Sequence, residues 1–295
     1  MIRYDFKQAD LTAEIVAADP RWFEKALTRT KKFQKLGRFE EKSSIWSKTK
    51  PAFMRLQMNK CVFCERQFEN PEYGTIEFDV EHFRPKSSVE PWPDATRHPT
   101  LTYAFETGAV LASGYFWLAY DLQNYAASCK VCNTIFKLNF FPIAGTRGVT
   151  PASATTLMIE KSFLCYPIGD IDADPESLVT FSATTAVPAA SDGHDHWRGR
   201  IIIDFFGLND REQLHRERAR MIALFGGAMR AVKNGTATDD DRELIGQMHS
   251  PALPHAACVR AFKRLWATDP VTADLVYVEC RKFAVSSGGV APPSP

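Results

Sequence analysis

The sequence predicts an α+β protein built around a metal-stapled centre. Three observations predict it: apolar residues at helical spacing towards both ends of the 295-residue chain, a strand-like run "TIEFDVEH" in the first third, and two Cys-x-x-Cys pairs that flank that run. The length is ample for a real core. The 45% hydrophobic and 24% charged content is that of a globular chain rather than a disordered one. No stretch approaches 18 uninterrupted apolar residues, and "MIRYDFKQADLTAEI" is charged early and has no apolar signal core. A cytoplasmic protein with no membrane partner is therefore expected.

Residues 1–57 read as a mostly helical, basic region. Trp22, Phe23, Ala26 and Leu27 share a helical face, and Gly37 is placed to end that helix. The net charge of +1 conceals strong segregation. Residues 21–60 hold twelve Lys/Arg against three Asp/Glu, residues 151–195 hold one against seven, and residues 197–233 hold eight against four. The basic segments suit a phosphate backbone as well as a solvated helix face.

Residues 58–142 carry the chemistry. Residues 143–200 are rich in Pro, Gly, Thr, Ser and Asp and read as a loop-rich connector with short strands such as "SLVTFSA", closed by "GHDHWRGR". Residues 201–285 turn helical. Leu214, Met221, Ile222, Phe225, Met229 and Val232 recur at helical spacing, with Asn209 or Asp210 as N-cap. Further helices are expected over 239–248 and 256–267, and over 275–285 in preference to a strand. Residues 286–295, "SSGGVAPPSP", read as a disordered tail.

Cys61 and Cys64 form one pair, Cys129 and Cys132 the other, with 64 residues between them. In a reducing compartment, two such pairs point to a tetrahedral Zn²⁺ site more readily than to disulfides. A thioredoxin-like redox function would use one pair and leave the second unexplained. Cys165, Cys258 and Cys280 stand alone in apolar surroundings and read as core.

Between the pairs lies "DVEHFRPK", and around the second lie "NYAASC" and "CNTIFK". Glu81, His82, Asn124 and Asn133 thus fall about one zinc site. With a short helix starting at the second pair, Asn133 and Lys137 share a face. An acid–His pair followed by an Asn, and by a second Asn nine residues later, resembles the HNH, or His-Me finger, endonucleases. Beyond that core, "EHFRPK", "FWLAYDLQNYAASCKVCNTIFKLNFFP" and the later "GLND" stretch look like the HNH nuclease subunits of Septu-type anti-phage systems, which accompany an ATPase subunit.

The resemblance implies a ββα-metal HNH core over 58–142, stapled by zinc and flanked by helical regions. It implies that His82 is the general base, that Glu81 and Asn133 hold a catalytic Mg²⁺ or Mn²⁺, and that Asn124 ties the loop that aims His82. Arg84, Lys86 and Lys137 are candidate phosphate contacts. Glu81 stands where relatives often have Asp, and Asn133 where they often have His. A long insertion, 91–114, carries His98, which the motif does not require; His98, His194 and His196 read as loop or core residues. The partners implied are nucleic acid, with DNA favoured over RNA, and an ATPase. The alternative is a zinc-dependent nucleic-acid-binding or assembly module without catalysis.

Overall fold

The computed structural model describes residues 1–5, 7–70 and 73–286. The tail expected from 286 onwards lies outside the described residues, except for Ser286. Helices and two small antiparallel sheets make up an α+β architecture. No described helix is long and apolar enough to cross a membrane. The chain divides into two compact units. The first comprises residues 1–2, 63–67 and 174 onwards, and the second residues 3–62 and 68–173.

In the second unit, α1 (Gln8–Ala18), α2 (Trp22–Leu36) and α3 (Lys50–Leu56) precede the strands. α2 ends at Gly37, whose left-handed φ of 67° needs a residue without a Cβ. Trp22, Ala26 and Phe33 are the buried residues of α2. Phe23 and Leu27, expected on the same face, are exposed instead. The i, i+4 register of Trp22 and Ala26 points inwards, and each following residue is rotated about 100° off that line.

β1 (Phe78–His82) pairs antiparallel with β2 (Tyr125–Cys129), with Glu81 opposite Ala126 and His82 opposite Tyr125. The chain between them crosses near itself at Gly114, where an added Cβ would lie 2.6 Å from the Lys86 main chain. β2 runs into a helical turn, Val131–Lys137, wound as a π-helix, and the Leu138 N–H donates to Asn133 O at 2.9 Å.

In the first unit, α4 (Pro175–Leu178) leads into the hairpin of β3 (Val179–Ser182) and β4 (Thr185–Pro188). α5 (Gly193–Phe205), α6 (Glu212–Lys233), α7 (Asp239–Gly246), α8 (Ala256–Thr268) and α9 (Pro270–Val285) follow. "GHDHWRGR" therefore begins a helix rather than closing a loop. The N-cap of α6 is Arg211; Asn209 instead pairs with the hairpin, its side chain exchanging hydrogen bonds with Ala186 N and O at 2.8 and 2.9 Å. Ile222, Phe225 and Met229 of α6 join Cys258, Phe262, Val276, Tyr277, Cys280 and Phe283 in one core, while Val232 is exposed. Gly226 lets α6 and α9 approach, since a Cβ there would sit 2.3 Å from the Tyr277 ring. Thr238 caps α7 in a reciprocal capping box with Asp241, and Asp269 caps α9.

Candidate active site and metal centre

Cys61, Cys64, Cys129 and Cys132 converge. Their sulfur atoms all lie within 4.8 Å of one another, and all four residues are buried. In a tetrahedral site with Zn–S of about 2.3 Å the sulfurs stand about 3.8 Å apart, which lies within that bound, so the donor set fits zinc. Main-chain N–H groups already face the sulfurs: Cys129 N donates to Cys61 Sγ at 3.3 Å, and Cys132 N to Cys129 Sγ at 3.4 Å. Such donors favour thiolates. The loop before Cys61 is left-handed at Met58 and Asn59. Gln57, fully buried, pins that loop to β2: its Nε2 donates to Lys60 O and Ala127 O at 3.0 and 2.8 Å, while its Oε1 accepts from Ala127 N at 2.6 Å. Nothing in the local sequence singles Gln57 out, because both partners on β2 lie 70 residues away.

β1 presents Glu81 and His82 to a cleft of about 340 Å³, which Asn133 from the helical turn also lines, together with Trp46, Lys50, Asp79 and Lys86. Both side chains are deep: Glu81 is 3% and His82 6% exposed. His82 Nε2 lies 3.1 Å from Ala119 O. A carbonyl only accepts, so Nε2 carries the proton and Nδ1 keeps a lone pair. The ring stands edge-on to Trp46 and Tyr125, at 4.9 and 5.0 Å between centroids. Burial holds the imidazole well below its ordinary value, and the Lys86 charge adds to that, so it stays neutral at pH 7. Burial also pushes the Glu81 carboxyl up, opposed by the Lys137 ammonium.

Asn124 is wholly buried and works on the backbone beyond His82. Its Oδ1 accepts from Arg84 N at 2.7 Å, and its Nδ2 donates to Arg84 O at 3.0 Å and to Leu118 O at 3.3 Å. It therefore clasps one residue from both sides and fixes the exit of β1.

Two of the three cations expected at phosphate are differently employed. Arg84 is 1% exposed. Its Nε donates to Glu160 Oε2 at 3.0 Å and its Nη2 to Leu157 O at 3.0 Å. Glu160 also accepts from Tyr115 OH and Gly148 N. Lys137 is 0% exposed, with its ammonium 3.3 Å from Glu81 Oε1. In both cases a buried charge without a partner would be far costlier than a paired one, and the partner consumes the cation. Lys86 does line the cleft, over the Trp46 and Phe39 rings at 4.7 and 5.4 Å. Lys50, which the sequence analysis did not single out, lines it too, bonded to Asp79 Oδ1 at 3.1 Å and to Phe78 O at 3.0 Å. Lys130 holds the other Asp79 oxygen at 2.9 Å. Burial raises the Asp79 carboxyl, but the bonds from Lys130 and Lys50 outweigh it and leave it below its ordinary value.

The remaining histidines lie apart from the cleft lining. His98 accepts from Asp94 N at 3.0 Å within its own loop, and His196, in the first turn of α5, bonds Ala190 O at 2.9 Å.

No family model matches the chain, and no solved structure matches it. Among curated proteins it is similar to the Septu protein PtuB of Bacillus mycoides (strain KBAB4), at 29% identity over 164 residues, which are 55% of this chain and 46% of that protein. The chain thus spans about half the length of the curated relative it matches. The relation to Septu-type proteins expected from the sequence has this distant similarity behind it.

Proposed function

We propose that this chain is a metal-dependent endonuclease of the HNH type, acting as the effector of an anti-phage defence system beside an ATPase subunit. The observation that carries the reading is the grouping of a neutral, tautomer-fixed His82, a carboxylate at Glu81 and a carboxamide at Asn133 in one cleft. β1, β2 and the following helical turn would be the ββα-metal element. The Septu similarity supports the defence setting.

In this function His82 Nδ1 takes a proton from water. The resulting hydroxide forms a bond to phosphorus as the bond from phosphorus to the 3′ oxygen breaks. The Ala119 carbonyl keeps the accepting nitrogen the right one, and Asn124 holds the backbone that carries the ring. Glu81 Oε and Asn133 Oδ1 are hard oxygen donors, suited to Mg²⁺ or Mn²⁺. When bound, such an ion neutralises charge on the phosphoryl group and the leaving oxygen. Zinc in the cysteine cluster would be structural.

The test is degradation of plasmid DNA and of structured RNA with Mg²⁺ or Mn²⁺, with and without the co-expressed partner, against His82→Ala. Loss of cleavage by at least about 100-fold in the variant is expected for a missing general base. Equal cleavage by both proteins, or none by the wild type with its partner present, refutes the function.

A further inference from the structure

We infer that the C-terminal half of α2 and the loop after it, from Lys31 to Lys48, form the surface on which the phosphate backbone of a nucleic acid lies beside the cleft. That the ligand is nucleic acid rests on the nuclease function proposed above; the surface itself rests on which charges the fold leaves without a partner.

Residues 21–60 carry twelve Lys/Arg. Arg21, Lys25, Arg29, Arg38, Lys50 and Arg55 are ion-paired with Glu24, Asp19, Glu41, Glu40, Asp79 and Glu14 in turn, and Lys60 is wholly buried. Lys31, Lys32, Lys35, Lys42 and Lys48 remain. All five are exposed, and among the described residues no carboxylate lies within ion-pair distance of them. Lys31 and Lys35 stand one turn apart on α2, with Lys32 between them donating only to a main-chain oxygen, Glu40 O, at 3.2 Å. Like charges four residues apart destabilise a helix, and no acid of the chain offsets them here. A polyanion would.

The second basic segment ends differently. Of the eight Lys/Arg in residues 197–233, Arg200, Arg216 and Arg230 are ion-paired, Arg198 and Arg218 are buried, and Arg211 is half-buried. Arg220 and Lys233 are its exposed cations without a carboxylate. Charge counted along the sequence makes both segments candidates for a phosphate backbone; pairing and burial leave the first.

The surface is continuous with the cleft. Phe33 of α2 packs on Phe39 at 5.0 Å between centroids, Phe39 on Trp46 at 6.0 Å, and Trp46 on the His82 ring at 4.9 Å. Phe33 thus stands within about 16 Å of His82, some five nucleotides at the strand rise of about 3.4 Å. Lys86, over the Phe39 and Trp46 rings, and Lys50 carry the row of cations onto the cleft wall. Lysine is a point charge without the planar fork of arginine, so this surface holds a backbone and reads no bases.

The experiment uses full-length His82→Ala, which binds without cutting. Fluorescence anisotropy is measured over a range of salt concentrations for a short DNA duplex and for an RNA of the same sequence, which tells which backbone is held. Combining Lys31→Gln, Lys35→Gln and Lys42→Gln in that background should flatten the slope of log K against log salt by about 3, at about 0.9 per lost phosphate contact. Zinc content should be unchanged and the melting temperature not lowered. Combining Lys161→Gln, Arg220→Gln and Lys233→Gln removes the same charge from other exposed positions and should leave the slope as it was. Equal flattening by both triple variants, no flattening by the first, or no binding of either probe overturns the surface. Poly-L-glutamate that displaces the bound probe as well as unlabelled probe does, at equal charge concentration, gives the surface to an acidic protein instead and overturns the ligand class. In parallel, wild-type chain with its partner and Mn²⁺ is tested for cleavage. The expected slopes without cleavage refute the nuclease function alone, and cleavage with an unaltered slope refutes the surface alone.

Discussion

Replacing Asn124 by alanine separates a residue that holds the backbone of the site from one that lines the cleft. The change deletes three hydrogen bonds from a wholly buried carboxamide, two to the Arg84 main chain and one to Leu118 O. Each contributes about 1 kcal/mol net, and the orphaned Arg84 N–H adds a desolvation penalty of about 1–3 kcal/mol, which gives about 4–6 kcal/mol in all. For a unit of this size 1 kcal/mol moves the midpoint by about 2–4 °C, so Asn124→Ala should lower Tm by roughly 8–24 °C. Calorimetry of the zinc-loaded chain without added Mg²⁺ or Mn²⁺ reads this directly. Asn133→Ala is the control. Its side chain is partly exposed on the cleft wall, so stability should change by under about 0.5 kcal/mol while cleavage is lost. A Tm shift below about 2 °C for Asn124→Ala, less than 1 kcal/mol, would refute the clasp. So would an Asn133→Ala variant as unstable as Asn124→Ala.

Three further outcomes are expected. The purified chain should carry close to one zinc, measured by elemental analysis. Cys61→Ser or Cys129→Ser should lose it along with folding free energy on the order of 10 kcal/mol, whereas Cys165→Ala, outside the cluster, should keep it. Glu81→Gln or Lys137→Met alone leaves a buried charge without its partner and should cost about 3–5 kcal/mol. The double variant should recover most of that in urea denaturation, and additive losses would show that the pair is not coupled. Burial holds His82, His215 and His255 below their ordinary value of 6.5, so these rings are neutral in the folded chain and bind protons more readily once unfolded. Stability should therefore be full above pH 6.5 and fall as the pH drops below it. A Tm that stays flat or rises on acidification to about pH 5 would contradict the buried neutral state.

How much was legible in advance differs from residue to residue. The α8 and α9 helices and the strand "SLVTFSA" follow from apolar spacing and turn residues, which are local signals. The α6 cap was missed because Asn209 has a stronger tertiary use, in which it zips its amide to Ala186. Phe23 and Leu27 were misassigned because an apolar residue on the boundary of a helical face has no local cue to its side.

The sequence by itself determined which ligand chemistry is available. Four cysteines in two pairs carry their spacing wherever the chain goes, and a glutamate beside a histidine stays beside it. Only the tertiary structure decided which charges are spent inside the protein and which face the cleft. Arg84 and Lys137 look in sequence like Lys50 and Lys86, yet a carboxylate 76 residues from Arg84 and another across the cleft wall from Lys137 bury the first two. The physical reason is that a cation's solvation depends on everything packed within a few ångströms of it. Those neighbours come from distant segments of the chain, and composition and spacing carry no record of them.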